Sequence, residues 1–439
     1  MRDLVLTLTY FCLAPIGLFM PHVGLLVWGW IAFMSPHRQV YGFGTLLPLN
    51  MIVAAITLLG ILLYRERIRF YSDRSLWLIL GLAVWFFLST LFAMNGKDAW
   101  VFFDRHIKTL LFAVLVFFLI DRRTRIHAFI LLIVVCLGYY GVKGGGFILT
   151  TGGTDRVWGP PASEIADNNH LALALVLSLP LINYLRLNSK HAVVRIALIA
   201  LFGLTVVAII GSYSRGGLVG LAVVLFALFI KGRYKVPLIM LATVVAIAGI
   251  TFMPSQWEDR MRTIRDPMAD ESFRGRIEAW GVATQIAMQR PLLGAGFQAP
   301  QSRSIYYQYE PNAIKPRAAH SIYFQVLGEH GIVGLLLFVG ILLAGITNAR
   351  RIQTLTRRRA DLAWAHDLAA MVQISLVAFA VAGAALSMAY YDVVYVLIAL
   401  MAATRKAVER QIAGMSIADA TAKPRFALKD TRPQQGNAA

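Results

Sequence analysis

The chain has 439 residues, of which 58% are hydrophobic, and its mean hydropathy is +0.64. Such a composition excludes a soluble enzyme and indicates a polytopic membrane protein. The formal net charge of +19 is the excess that basic cytoplasmic loops give a membrane protein, so nucleic acid is not expected as a partner. The two cysteines, Cys12 and Cys136, lie in apolar stretches and predict neither a disulfide framework nor a metal site.

Apolar runs along the chain predict membrane-spanning helices, because only helices and closed barrels satisfy every backbone polar group in lipid. The first run, residues 4–34, is interrupted by Pro15 and Pro21, so we expect one span plus a broken or re-entrant half-helix. Later runs, such as 76–94 and 238–253, approach the ~20 apolar residues that cross a bilayer.

Basic stretches follow many of these runs, and the positive-inside rule places them in the cytoplasm. They are residues 65–74, 121–125, 186–195, 231–235 and 349–359, and the stretch that begins at Arg405. With these inside, the topology has about twelve helices and both ends in the cytoplasm. We therefore predict an all-α polytopic membrane domain over residues 1–404 and a polar, disordered cytoplasmic tail over residues 405–439.

The longest polar connection, residues 254–320, falls on the outer side of the membrane in this topology. Long loops without a function are uncommon in compact domains, so we expect the chemistry of the protein here. Within the loop, residues 274–289 have helical periodicity, and Ile277, Trp280 and Ile286 share an apolar face. This pattern predicts a helix on or near the outer membrane surface.

Three arginines are candidate ligands for phosphate, because the guanidinium group offers planar, bidentate donors. Arg215 lies in the short outer turn GSYSRGGL, where the alternative is an arginine that snorkels to the membrane surface. Arg274 and Arg276 lie in SFRGRIEAW, where the alternative is a solvated helix with local pairs such as Arg274 with Glu278. The PLLGAGF segment that follows, residues 291–297, predicts a tight glycine turn with a structural role.

His320 stands where the outer loop returns to the membrane, and a neutral histidine there could accept a proton from an attacking hydroxyl. A structural histidine is the alternative. Glu329 and His330 follow two to three helical turns later and should lie deeper. An acid inside a membrane protein is a functional candidate, so both residues are candidates for an acceptor site or its cavity.

A second polar cluster, residues 167–170, abuts an apolar run from the outer side. Asn169 and His170 are candidates for the acceptor site or its cavity, whereas Asp167 and Asn168 suit capping of a helix. The other histidines have no metal-ligand spacing, and no nucleotide-binding motif is present. We therefore predict neither a metal nor a cofactor.

Several of these candidate residues lie in motifs that follow one another in a fixed order along the chain. The order is SRGG between two spans, then GR-x-x-x-W and P-L-L-G-x-G-F in the outer loop, and then AHS-x-x-x-Q-x-L-x-E-x-G-x-x-G before a span. This order resembles the O-antigen ligase superfamily, which includes the O-antigen polymerases. The stretches VWGPPASEIADNNHLALAL and QYEPNAIKPRAAHS are most similar to the branch of exosortase-associated O-glycosylation ligases. This chain has Ser321 where the family often has asparagine.

The resemblance implies a metal-independent glycosyltransferase in the bacterial inner membrane, with the 254–320 loop in the periplasm. The donor would be a glycan on undecaprenyl diphosphate, and the acceptor would be a hydroxyl of lipid A–core or a similar molecule. Arg215 and Arg276 would hold the donor diphosphate, with Arg274 as a further candidate, and His320 would activate the acceptor hydroxyl. Direct displacement would invert the anomeric centre.

Two alternatives share this donor chemistry: a polymerase that joins repeat units, and a ligase that glycosylates protein hydroxyls. The motifs do not separate them, because the acceptor surface decides between them. An alternative of another class is a transporter of polysaccharide or lipid. The main polar cluster lies in one outer loop and no internal repeat is present, whereas many transporters have repeats and polar residues at mid-membrane.

Overall fold

The computed structural model describes residues 1–64, 71–231 and 271–421. Within these ranges every regular element is an α-helix or a short 3-10 turn, which confirms the all-α prediction for this part of the chain. The α-helices, numbered in chain order, are α1 (Arg2–Leu13), α2 (Ile16–Phe19), α3 (Pro21–Met34), α4 (Leu49–Tyr64), α5 (Arg74–Leu91), α6 (Gly96–Leu119), α7 (Arg123–Thr151), α8 (Asn168–Asn188), α9 (Ala192–Gly211), α10 (Arg215–Lys231), α11 (Glu271–Gln289), α12 (Arg303–Tyr309), α13 (Ile322–Thr356), α14 (Ala363–Ala382) and α15 (Asp392–Thr421).

Seven helical segments in the described ranges are long and apolar enough to cross a membrane, as expected of a multi-pass membrane protein. They are Arg2–Phe19, Arg74–Leu91, Arg123–Thr151, Asn168–Asn188, Ala192–Gly211, Ile322–Thr356 and Ala360–Ala385. The total of about twelve spans goes beyond these seven and stays a prediction. The predicted run 238–253, the first part of the 254–320 loop and the end of the tail lie outside the described residues.

The N-terminal run is broken at both predicted prolines. Helix α1 ends at Leu13, and Pro15 precedes the four-residue helix α2. Pro21 then occupies the first turn of α3, where its missing N–H leaves no helical hydrogen bond unmade.

Helices α8 and α14 are the most enclosed of the apolar segments, with 72% of each hydrophobic window buried. They pack against each other, and the Ser375 hydroxyl of α14 donates to the Leu177 carbonyl of α8 at 2.9 Å. Helix α7 packs against α9, and α13 packs against α5, α14 and α15. The N-terminus of the buried α8, Asn168, is itself 4% exposed.

A buried ion pair joins three helices at the opposite end of the bundle. The Arg405 guanidinium of α15 lies 2.8 Å from Asp73, whose side chain is fully buried at the N-terminus of α5. Asn348 of α13 accepts a hydrogen bond from Arg405 at 2.8 Å and donates to Ser75 at the same distance. Every member of this network has a partner, as a buried charge requires.

Helix α13 is interrupted at Gly331, whose φ of 68° and ψ of −169° lie outside the helical region. The PLLGAGF segment packs into the break. The backbone amides of Ala295 and Gly296 donate to the carbonyls of Gly328 and Glu329 at 2.9 and 2.8 Å. In return, Ile332 donates to the Pro291 carbonyl at 2.8 Å. The segment thus satisfies the polar groups that the interrupted helix leaves open, which non-helical backbone inside a membrane protein needs.

Gly294 should not tolerate a side chain at this junction. Its φ is +63°, and a Cβ atom would lie 2.6–2.7 Å from backbone atoms of Glu329, His330 and Gly331. We expect Gly294→Ala to destabilise the protein by about 2–4 kcal/mol, since left-handed strain adds to a backbone clash. Thermal unfolding of the purified protein in detergent measures the change.

Gly281→Ala is the matched control, because Gly281 lies within α11 and a Cβ there meets nothing within 4 Å. This variant should be unchanged or more stable, by up to ~1 kcal/mol. Equal melting temperatures for the two variants would contradict the tight docking of PLLGAGF.

Candidate active site

A cavity of about 320 Å³ lies where α8, α11 and α13 meet. It contains three residues that the sequence singles out for the site, His170, His320 and Glu329. The residues that line it are Asp167, His170, Ala279, Ala283, Gln298, Pro300, Gln301, Arg317, Ala318, Ala319, His320, Phe324, Gln325, Glu329 and Ser387.

His320 is positioned by the tryptophan of the GR-x-x-x-W motif. The Trp280 indole N–H donates to the carbonyl of Ala319 at 2.6 Å. The Trp280 ring stacks on Phe324 in the first turns of α13, with centroids 4.9 Å apart and an angle of 9° between planes. His320 itself has a φ of +44°, a left-handed conformation that costs free energy for a residue with a Cβ. Contacts on both sides of His320 therefore fix an otherwise unfavourable backbone.

The surroundings of His320 favour its neutral form. Burial is the largest cause that lowers the pKa of His320 below its ordinary value of 6.5, and the positive charge of Arg276 is the next. His170 and Arg317 act in the same direction, and Asp167 opposes them. An imidazole that is neutral at pH 7 can accept a proton, so the site suits a general base.

The three arginines predicted from the sequence have different surroundings, and none of them is among the residues that line the cavity. Arg276 is half-buried on α11 and is close enough to act on His320 through its charge. Arg274, on the same helix, pairs with Glu278 at 3.5 Å, and 44% of its side chain is exposed. This is the local helix pair that the sequence offers as the alternative. Arg215 is the first residue of α10 and is exposed.

Arg317 lines the cavity but is not among the candidates that the sequence indicates. Its side chain lies against the backbone of Gly275 on α11, where a Cβ atom would overlap the Cδ, Nε and Cζ atoms of Arg317. The missing side chain at Gly275, between Arg274 and Arg276, thus makes room for a third arginine. The only signal in the sequence is that Arg317 precedes His320 by three residues.

The polar cluster at the start of α8 combines capping with cavity lining. The Asp167 carboxylate accepts from the Asn169 backbone N–H at 2.8 Å, which confirms the predicted helix cap. Asp167 and His170 also line the cavity, whereas Asn169 does not. The Asn168 amide donates to the Ser212 carbonyl at 2.7 Å, so α8 is tied to the short turn that leads into Arg215.

Glu329 and His330 face different surroundings, although they are adjacent in the chain. Glu329 is 3% exposed and lines the cavity; the Tyr390 hydroxyl donates to one of its oxygens at 2.6 Å. His330 is fully buried and does not line the cavity. Its Nδ1 atom lies 2.9 Å from the Ser89 hydroxyl of α5, and its ring packs against Phe86 and Phe297. The break at Gly331 follows directly, so this packing supports the junction.

Among the described side chains, no group of three or more His, Cys, Asp or Glu residues is placed to hold a metal ion. The cavity instead combines one neutral base with nearby guanidinium groups. Such a combination can accept a proton at one point and stabilise developing negative charge at another.

Comparison with family models places these features in context. Residues 196–339 match a family model described as O-antigen ligase. The match supports the O-antigen ligase superfamily. It covers α11, the PLLGAGF segment, His320 and Glu329, and it supports a membrane enzyme of the O-antigen ligase or polymerase type.

Residues 1–191 match a second model, described as a family of unknown function (DUF5935). A search of curated proteins gave no match. The similarity to the exosortase-associated branch of the O-antigen ligases stays a prediction.

Proposed function

We propose that this protein is a glycosyltransferase that moves a glycan from undecaprenyl diphosphate to an acceptor hydroxyl at the periplasmic face of the inner membrane. Lipid A–core or a similar molecule is the acceptor. The observation that carries the proposal is the cavity in which Trp280 fixes the backbone beside His320 while burial and the charge of Arg276 lower the His320 pKa, with Arg317 in the same cavity. The family match over residues 196–339 covers all of these residues.

The chemistry follows from these groups. The His320 imidazole takes the proton of the acceptor hydroxyl, and the acceptor oxygen bonds to the anomeric carbon of the donor. The bond from that carbon to the phosphate oxygen breaks, and undecaprenyl diphosphate leaves with its electron pair. One displacement inverts the anomeric centre.

Negative charge grows on the leaving diphosphate as this bond breaks, and fixed cations stabilise it. Arg317 lies against Gly275 of α11, and Arg276 on the same helix acts on His320 through its charge. Arg215 begins α10, just after the turn in which Ser212 accepts a hydrogen bond from Asn168 of α8. Arg274 is a weaker candidate, because Glu278 already engages its guanidinium. Hydrophobic surface between the helices would receive the polyprenyl tail.

The full-length protein in lipid nanodiscs, supplied with a lipid-linked glycan and an acceptor from the native host's membranes, should transfer the glycan in the presence of EDTA. Arginines supply the positive charge that a divalent ion provides in other enzymes, so the rate should be unchanged. Gel mobility of the acceptor measures transfer, and a magnesium-dependent glycosyltransferase in the same buffer shows that chelation is complete. Loss of transfer that Mg²⁺ restores would contradict the mechanism.

Gly275→Ala should impair transfer by displacing Arg317. The clash would be with a flexible side chain, so Arg317 can move away and the helix can remain folded. We expect a loss of about 10–100-fold, the value of a charge-assisted hydrogen bond to phosphate.

Arg317→Gln should cause a similar loss, and the double variant should be no worse than either single variant. Gly281→Ala, an open position on the same helix, is the control. Full activity of Gly275→Ala would show that Arg317 does not act from this position.

A further inference from the structure

The part of the cavity around Glu329 has a different chemistry from the part beside Arg317. Four uncharged polar side chains line it: Gln298, Gln301, Gln325 and Ser387. They come from three separate segments, namely the loop before α12, the first turns of α13 and the loop before α15. Amides and hydroxyls both donate and accept hydrogen bonds, which matches sugar hydroxyls better than a diphosphate.

These groups have hydrogen-bonding capacity to spare. The Ser387 hydroxyl oxygen is buried and has no hydrogen-bond partner in the described part of the chain. The side-chain amide of Gln301 donates to that of Gln298, which uses only part of the capacity of either group. A buried polar atom without a partner is unfavourable, so a ligand that bonds to Ser387 would remove an existing cost.

Glu329 holds the backbone of Gln298, one of these four residues, in place. Its Oε1 atom accepts the backbone N–H of Gln298 at 3.2 Å, and its Oε2 atom accepts the Tyr390 hydroxyl. Gln298 has a φ of +60°, a left-handed conformation that a residue with a Cβ seldom adopts. The fold therefore maintains a strained backbone at the place where the Gln298 amide meets the cavity, as is common at binding sites.

An aromatic ring lines the same cavity. Phe324 is stacked on Trp280 on one face and is one residue before Gln325 on α13. Sugar rings have an apolar face of C–H groups and a polar rim of hydroxyls, so an aromatic surface beside amides suits both.

We infer that Gln298, Gln301, Gln325 and Ser387 form a subsite for a neutral sugar residue, with Phe324 as its apolar wall. This inference rests on the proposed function and gives the cavity two parts. The diphosphate lies by Arg317 and Gly275, and a sugar lies by Glu329, with His320 lining the same space. The sugar belongs either to the acceptor glycan or to the first unit of the donor.

Kinetics of Gln301→Ala and Ser387→Ala in nanodiscs test the subsite. We expect each variant to raise the KM of one substrate roughly tenfold, the value of one hydrogen bond to a ligand, with kcat little changed. Gln325 is left intact, because its side chain also accepts the backbone N–H of Ala389. Gln353→Ala is the control, since Gln353 is also on α13 but its amide bonds to Gln373 away from the cavity.

This experiment distinguishes the two sources of the sugar. A higher KM for the acceptor alone places the acceptor glycan in the subsite, and a higher KM for the donor alone places the first donor sugar there. Unchanged values for both substrates in both variants would overturn the subsite while leaving the proposed function standing. If the wild-type protein transfers no glycan at all, the proposed function fails and the subsite fails with it.

Discussion

His320→Ala is expected to lower kcat/KM for glycan transfer by about 10²–10⁴-fold, the usual contribution of a general base. The variant retains the arginines and the cavity but has no group to take the acceptor proton. In cells that lack other sources of the activity, the lipid-linked donor should accumulate at matched membrane levels of the two proteins. Gel analysis of the acceptor glycan and extraction of the lipid-linked donor measure both effects.

His191→Ala is the matched control, because His191 is exposed and precedes α9 in a predicted cytoplasmic stretch. This variant should transfer at the wild-type rate. If His320→Ala also transfers normally, His320 has a structural role. The mechanism would then have to rest on the arginines, or the transport alternative would gain weight.

Three of the candidate residues that the sequence indicates, His170, His320 and Glu329, line the cavity. His320 and Glu329 are nine residues apart, at the entry and in the first turns of one helix, and both line the cavity. The Asp167 cap also depends only on neighbouring residues. In each case the residue type and its place beside or within an apolar run were enough to make the residue a candidate.

Arg317 could not be selected in this way, because its position depends on a contact across 42 residues. Its side chain lies against Gly275, and nothing in KPRAAH indicates that Arg317 faces α11. Only the folded structure explains why position 275 is glycine, because the missing side chain leaves room for a guanidinium from another segment. The saccharide subsite is similar, because its glutamines come from segments that only the fold brings together.

The break in α13 shows the same limit for the fold. GEHG lies in an apolar helical pattern, and the sequence alone predicts one continuous span over this stretch. The break at Gly331 is stable because PLLGAGF supplies the missing hydrogen bonds, and that pairing joins segments about 35 residues apart. The hydropathy of the sequence does not indicate hydrogen bonds between two such distant segments.

The number of membrane-spanning helices is also hard to predict from the sequence, because hydropathy alone does not show whether a helix crosses the membrane. Helix α6 has 24 residues and carries Asp104, Arg105 and Lys108 near its middle, so it lacks the uninterrupted apolar composition of a span. Seven segments meet the length and composition of a span in the described ranges, and the larger total depends on the charge pattern of the loops.

Arg276→Gln is expected to have the second large effect, a loss of about 10²–10³-fold in kcat, because a fixed donor to the developing charge is removed. Arg274→Gln is the matched control on the same helix, two residues earlier. Arg274 is already paired with Glu278 and is 44% exposed, so its loss should change the rate little. Equal losses in the two variants would favour a diffuse positive field over a specific clamp by Arg276.

The pH dependence separates two roles of Arg276. Burial and the Arg276 charge hold the pKa of His320 below 6.5, so the wild-type base is neutral at pH 7 and loses activity only as the pH falls through that lowered pKa. Arg276→Gln removes the charge, so the pKa of His320 should rise and the acid limb of kcat/KM should move to higher pH. Arg276→Lys keeps the charge but not the bidentate fork, so it should lower kcat and leave the acid limb in place. An acid limb that is the same in all three proteins would contradict control of the His320 pKa by the Arg276 charge.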